Sequence, residues 1–213
     1  IQRVQDPNTW VNGELTPKKI GKIDISELLG RAHIQLNHER LSAELHDKTI
    51  LITGAAGSIG SGITQEVIKY AVRKIILIDQ AESALYDLQQ MLISNEQATD
   101  IHFCVGDIRN KTALLELFET HKPDIVFHAA AYKHVPLVES NIYEGIINNV
   151  IGSKNIIDTA IKHKVSKVVL ISTDKAVNPT NVMGATKRFA ERVVMWFNKN
   201  SETDYAAVRF GNV

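Results

Sequence analysis

The chain has almost no cysteine. Cys104 is the only one in 213 residues, which excludes an internal disulfide and a thiolate metal cluster and fits a reducing compartment. Charge of one sign is also missing: Lys plus Arg is 24 and Asp plus Glu is 24. A nucleic-acid-binding surface leaves a basic surplus, so nucleic acid is not expected as a partner. No apolar run approaches the roughly 18 residues that mark a membrane helix. The opening IQRVQDPNTW has no apolar signal core and no initiator Met, so a fragment or a processed chain is expected. No spacing of His and carboxylates marks a metal site, and none is predicted. What is present is an ordinary globular composition, 44% hydrophobic and 23% charged, with enough chain to bury one domain's core.

The first 46 residues differ from the rest. They carry Pro7 and Pro17 and no strong strand. DISELLGRAHIQLNHERLSAEL reads as one or two short helices broken near Gly30, with Asp24 or Ser26 as a cap. Residues 1–46 are therefore expected to form a helical appendage or linker, and 47–213 the main domain. From residue 48 onward, short apolar runs alternate with helical stretches. Strands are predicted at 49–53, 74–79, 101–105, 124–130, 167–172 and 205–210, and helices at 59–72, 82–95, 111–121, roughly 143–164 and 182–200. The strands are apolar throughout rather than alternating, which is how a parallel sheet covered on both faces reads. The expected fold is α/β, a doubly wound parallel sheet of Rossmann type. Cys104, Trp10, Trp196 and His128 read as packing residues.

TILITGAAGSIGSGI places Gly54, Gly57 and Gly60 between the first strand and the first helix of this pattern. Gly54 allows the tight turn, Gly57 the approach of a pyrophosphate, and Gly60 close packing of helix on strand. Ser58 and Ile59 open the helix, whose free amide hydrogens then face the phosphates. Asp79 ends the second strand, 19 residues beyond Gly60, where a ribose-binding carboxylate is expected. The cofactor implied is NAD or NADP. Asp79 favours NAD, because a carboxylate repels a 2′-phosphate, although Arg73 and Lys74 stand nearby as cations.

The GxxGxxG spacing resembles the extended branch of the short-chain dehydrogenase/reductase superfamily. By resemblance to that superfamily, Asp107 and Ile108, which follow the third strand, would stand on the adenine side. Five segments together, DISELLGR, TGAAGSIGS, HAAAYKHVPLVE, STDKAVNPTNVMGATKR and VRFGNV, resemble bacterial nucleotide-sugar 4,6-dehydratases of polysaccharide biosynthesis. Within these, the chain is most similar to the long, membrane-associated subfamily, which acts on UDP-N-acetylglucosamine or a close relative.

The resemblance implies roles by position. Ala129, Ala130 and Ala131 would lie against the cofactor. Asn149 would stand near the nicotinamide side. Lys133 and His134 would face the substrate, Lys133 touching the sugar or a phosphate. Asp174 would be the acid toward the carbon 6 hydroxyl and Lys175 the base at carbon 5. Lys187 would hold the nicotinamide ribose, and Thr173 would bind the carbon 4 hydroxyl. The family's usual Tyr, four positions before Lys187, is Met183 here, and a thioether neither takes nor gives a proton. The resemblance further implies a homo-oligomer and a cytoplasmic catalytic part, joined to the membrane only through an upstream portion. It also implies that substrate-binding residues follow Val213. The competing readings are an NAD-dependent UDP-sugar epimerase and a cofactor-binding module without catalysis.

Overall fold

A computed structural model describes residues 2–3, 21–22, 36–93 and 99–211. By internal contacts the chain divides into Ile1–Glu39 and Arg40–Val213. In the first unit Gln2–Arg3 pairs antiparallel with Gly21–Lys22, a short ladder where no strand was expected. The capping residues Asp24 and Ser26, the break at Gly30 and Trp10 lie outside the described residues. The end of the expected helical stretch is a helix, α1 (His38–Leu45). From Arg40 onward it belongs to the second unit, where Leu45 is buried and Glu44 pairs with Lys167 at 3.0 Å.

The second unit is built on six parallel strands: β1 (Thr49–Thr53), β2 (Lys74–Asp79), β3 (Asp100–Val105), β4 (Ile125–His128), β5 (Lys167–Thr173) and β6 (Asp204–Phe210). Their spatial order is β3-β2-β1-β4-β5-β6. The helices are α2 (Ser58–Val67), α3 (Glu82–Ile93), α4 (Lys111–His121), α5 (Val135–Ser140), α6 (Ile142–Ile146), α7 (Ser153–Lys162) and α8 (Val182–Asn200). Successive strand residues point to opposite faces, so β1 serves two cores. Leu51 packs with Leu114, Phe118, Ile156 and Val194 under α4, α7 and α8. Ile50 and Ile52 pack with Val67, Leu85, Leu88 and Leu92 under α1, α2 and α3. The doubly wound Rossmann-type sheet is thus observed, and β1 and β4 flank the point where the winding reverses.

Local chemistry sets the element ends. Asn110 caps α4 by accepting from the Ala113 amide at 3.1 Å, and Lys122 ends it in the left-handed region at φ 48°. Asn181 accepts from the Gly184 amide at 2.7 Å and Glu139 from the Val182 amide at 2.6 Å, so α8 is capped twice.

In the second unit the expected long helix differs. The single helix predicted at roughly 143–164 is composite and begins earlier. α5 carries Pro136 in its first turn, where a missing N–H costs nothing. Asn141 breaks the chain out of helix before α6. Between α6 and α7 the residues Ile147–Gly152 form a π-helical turn. The extra residue per turn lets Asn148 and Asn149, adjacent in sequence, both be buried.

Phe118 is fully buried at the centre of one core. Phe118→Ala is expected to lower the unfolding free energy by about 3–5 kcal/mol in urea titration. Tyr143→Ala, at a site 71% exposed, should change it by less than about 0.5 kcal/mol.

Candidate functional site

The C-terminal ends of β1, β2, β3 and β4 open into a cleft of about 280 Å³ at the switch point. Of the residues expected at a dinucleotide, Gly54, Gly57, Ser58, Ile59, Gly60, Asp79, Asp107, Ile108, Ala129, Ala130 and Ala131 line it. The glycines are required for different reasons. Gly54 sits at φ +66°, and a Cβ there would stand 2.5 Å from the Ala130 nitrogen. A Cβ on Gly60 would overlap the Gly54 carbonyl. A Cβ on Gly57 would meet only that same carbonyl, at 3.3 Å. Packing asks little of Gly57, so its missing side chain keeps the cleft open instead. Gly57 also leaves the start of α2 without a side-chain cap, and free amides there suit an anion.

Asp79 is held at both oxygens. Oδ2 accepts from the Ala56 amide and Oδ1 from the Ala81 amide, each at 3.0 Å. Arg73 and Lys74 stand at the other end of β2, about 16 Å away at strand rise. Arg73 pairs with Asp124 at 2.8 Å and Lys74 with Asp100 at 3.9 Å. Neither cation offsets the carboxylate at the cleft. Asp107 accepts from Arg109 Nε at 2.8 Å and Nη2 at 2.6 Å. This pairing holds its carboxyl below the usual range. Arg109 also reaches Glu144 at 2.8 Å, tying the loop after β3 to α6.

Asn149 and Lys187 are not on the cleft wall. The Asn149 amide is spent on protein: Oδ1 accepts from the Tyr132 amide at 2.8 Å, and Nδ2 donates to the Tyr132 carbonyl at 2.9 Å and to Thr186 Oγ1 at 3.0 Å. Its neighbour Asn148 lines the cleft. No periodicity argument separates the two, because the π turn changes which one faces in. Lys133 lines the cleft and crosses to Ser58 Oγ at 3.3 Å. Together with His134 it also lines a second cavity of about 410 Å³, whose apolar wall includes Leu137 and Val138.

The acid–base candidates meet at the end of β5. Thr173 Oγ1 donates to Asp174 Oδ1 at 2.9 Å and accepts from the Lys175 amide at 3.4 Å. Lys175 Nζ lies 3.5 Å from Asp174 Oδ1. Both side chains are exposed, 55% for Asp174 and 40% for Lys175. An acid working near neutral pH would be expected to have a raised pKa. Here the Thr173 hydroxyl and then Lys175 hold the Asp174 carboxyl below its ordinary value.

Met183 is buried one turn before Lys187 on α8. Lys187 is buried too and donates from Nζ to the Ile171 carbonyl at 2.8 Å. Burial pushes its pKa down to about 8, against the opposing charge of Glu191. Gly184 was not anticipated from sequence. A Cβ there would overlap the Lys175 carbonyl, so this glycine lets α8 abut the turn that carries Asp174 and Lys175. Among the described residues no group of three or more His, Cys, Asp or Glu could hold a metal.

Residues 50–213 match the family described as polysaccharide biosynthesis protein. The chain belongs to that family. It is 49% identical over 206 residues to the capsular polysaccharide biosynthesis protein CapD of Staphylococcus aureus, covering 95% of this chain and 34% of that protein. It is 38% identical to a UDP-glucose 4-epimerase of Rickettsia canadensis and 36% identical to an inverting UDP-N-acetylglucosamine 4,6-dehydratase of Campylobacter jejuni, covering 78% of this chain and 49% of each relative. The X-ray structure of Pen from Bacillus thuringiensis superposes with a TM-score of 0.73 at 37% identity, over 79% of this chain and 51% of that one. The chain thus spans between a third and a half of the relatives it matches.

His128 is the most perturbed histidine of the site. Burial, then the charge of Lys187, holds its pKa down at about 3. A depressed histidine pKa favours the fold above the unfolded value near 6.5, and that contribution is lost as pH falls toward 3. Between neutral pH and about pH 3 the wild type should lose on the order of 4 kcal/mol more stability than His128→Gln, read by denaturant titration at each pH. Equal losses would mean that the ring charges within the fold.

Proposed function

We propose that the chain is the cofactor-binding and acid–base part of a nucleotide-sugar 4,6-dehydratase that acts on UDP-N-acetylglucosamine or a close relative in capsule or O-antigen synthesis. The observation that carries this reading is the contact of Thr173, Asp174 and Lys175 at the end of β5, next to a helix that bears Lys187 but has Met183 in place of a tyrosine. A 4-epimerase needs no acid–base pair for eliminating water, so the pair favours dehydration over the epimerase reading that the Rickettsia relative suggests. The same pair speaks against a cofactor-binding module without catalysis.

The cleft fits NAD: a glycine turn with room left at Gly57, an uncapped helix start, and a carboxylate on which no cation is paired at the ribose position. When bound, NAD would accept hydride from carbon 4 of the sugar and return it to carbon 6. The remaining steps fall to the chain's own residues. Thr173 donates its hydroxyl hydrogen bond to Asp174, so an oxygen lone pair stays open toward the carbon 4 hydroxyl. As Thr173 takes the carbon 4 hydroxyl proton, its own hydroxyl hydrogen moves to Asp174, which becomes the acid it must be despite its low pKa. Lys175, entering as the neutral amine once Asp174 holds the proton, takes the proton from carbon 5, Asp174 delivers its own to the departing carbon 6 hydroxyl, and Lys175 returns its proton to carbon 5. The product is a 4-keto-6-deoxy sugar nucleotide, formed with loss of one water and no net change in the cofactor. Lys187, largely charged at neutral pH, would have to leave the Ile171 carbonyl to steady the ribose and the charge that develops at carbon 4.

We further propose that the protein works on the cytoplasmic face of the membrane as a homo-oligomer. No helix among the described residues is long and apolar enough to cross a membrane. Tyr143, Ile146, Phe189 and Trp196 expose apolar surface on α6 and α8, which suits self-association.

The deciding experiment mixes the protein, extended to its full length, with UDP-N-acetylglucosamine and catalytic NAD. Loss of one water's mass without net reduced cofactor is expected. An isomer of unchanged mass would replace this reading with an epimerase. Thr173→Val should slow hydride transfer at least tenfold, because the proton path is cut; an unchanged rate would exclude Thr173 from that path. Asp79→Ala should weaken NAD binding roughly 10- to 100-fold and narrow the gap to NADP, as expected for lost charge-assisted bonds to a ribose. Unchanged NAD affinity would remove Asp79 from the cofactor site.

A further inference from the structure

His128 ends β4 and is wholly buried, yet both ring nitrogens are engaged. Nδ1 lies 2.6 Å from Thr53 Oγ1 and Nε2 lies 2.9 Å from Ser153 Oγ. The direction of each bond follows from its neighbours. Ser153 Oγ is 2.6 Å from the Asn149 carbonyl, which can only accept. The serine therefore donates there and turns a lone pair toward the imidazole, so Nε2 must carry the hydrogen. A neutral ring has one such hydrogen, so Nδ1 accepts and Thr53 donates to it. Thr53 Oγ1 is then left to receive the Ala130 amide at 3.3 Å. The bonds form a one-way chain from the Ala130 N–H through Thr53, His128 and Ser153 to the Asn149 carbonyl.

The two ends of this chain grip one segment. Ala130 belongs to the wall of the cleft and lies so near Gly54 that no side chain fits between them. Asn149 holds both backbone groups of Tyr132, two residues further on. Thr53 itself immediately precedes the glycine turn. Protonation would make Nδ1 a donor and force the Thr53 hydroxyl away from the ring. The positive charge of Lys187 on α8 disfavours that state as well.

We propose that His128 is a positioning residue for the cofactor: locked as the Nε2–H tautomer, it fixes residues 129–132 against the glycine turn and so sets the width of the cleft. This rests on the reading of the cleft as a dinucleotide site. A packing residue of the same size would fill the space but could not pass on the direction of the hydrogen bonds.

The test has two arms on the whole chain. Long-range proton–nitrogen correlation on 15N-labelled wild type reads the tautomer directly. The expected result is a bare Nδ1 and a protonated Nε2 at neutral pH. An Nδ1–H tautomer or a charged ring overturns the proposal, whatever the cofactor does. Calorimetry then measures NAD affinity for wild type, Thr53→Val and Thr53→Ser. Valine keeps the shape and loses the hydroxyl, and about tenfold weaker binding is expected. Serine keeps the hydroxyl and should bind within about threefold of wild type, although a buried methyl is lost. A purely structural role would show the reverse order, and Thr53→Val binding as tightly as wild type overturns the proposal. If wild type binds neither NAD nor NADP, the dinucleotide reading fails and the positioning role with it. The tautomer would then report separately on whether the hydrogen-bond chain exists.

Discussion

The close approach of two backbones governs this molecule. The turn at Gly54 and the strand end at Ala130 come together at the one place where the sheet's winding reverses, with no room for a side chain between them. Parallel strands put all their C-terminal ends on one edge, and reversal of the crossovers leaves that edge uncovered between β1 and β4. The gap is where a flat, charged ligand can lie against main chain. Small residues on both walls therefore follow from the topology: glycines on the β1 side and alanines on the β4 side. The buried hydrogen bonds beneath the gap then hold the walls apart by a set distance.

The charges of the site divide by burial. Those that would meet substrate, Asp174 and Lys175, are exposed and paired with each other. The charge that would meet the cofactor, Lys187, is buried and bonded to the Ile171 carbonyl. Desolvation moves a buried lysine's pKa by units, whereas an exposed pair is governed by its immediate hydrogen bonds. An acid at Asp174 therefore cannot rely on burial in this arrangement. It has to be charged with a proton by its neighbour, and Thr173 is the neighbour whose hydroxyl already points at it.

What the sequence made legible follows the same division. Strands that are apolar throughout, the spacing of three glycines and an acid at the end of the next strand each have one physical cause, and Gly54, Gly57, Ser58, Ile59, Gly60 and Asp79, to which they point, line the cleft; Asp107, Ile108, Ala129, Ala130 and Ala131 came from the family resemblance. The resemblance pointed to Asn149, but it is Asn148 that lines the cleft, because the π turn at Ile147–Gly152 changes which of the two faces in. The helix at Val135–Ser140 was missed because its six residues sit next to a proline and read as loop. The strand pair of Gln2–Arg3 with Gly21–Lys22 was missed because two-residue strands carry no pattern. Gly184 carries no signal in the sequence, since its need depends on a contact with Lys175 that only tertiary structure creates.

Met183 ties these strands of reasoning together. A tyrosine there would bring a hydroxyl near Lys187 and form a proton path independent of β5. With a thioether in that place, α8 supplies packing and one cation, and in the proposed reaction all proton movement would fall to the three consecutive residues at the end of β5. Three neighbours on one turn can pass a proton among themselves only if the chain holds that turn still. The contacts that do so are specific: Thr173 caps the turn Asp174–Ala176, Gly184 lets α8 press against its backbone, and Asn181 and Glu139 fix where α8 begins. On the proposed reaction, a methionine in place of the tyrosine would shift the demand from one side chain's acidity to the rigidity of a backbone turn, and the two caps on α8 and its glycine are the contacts that hold that turn.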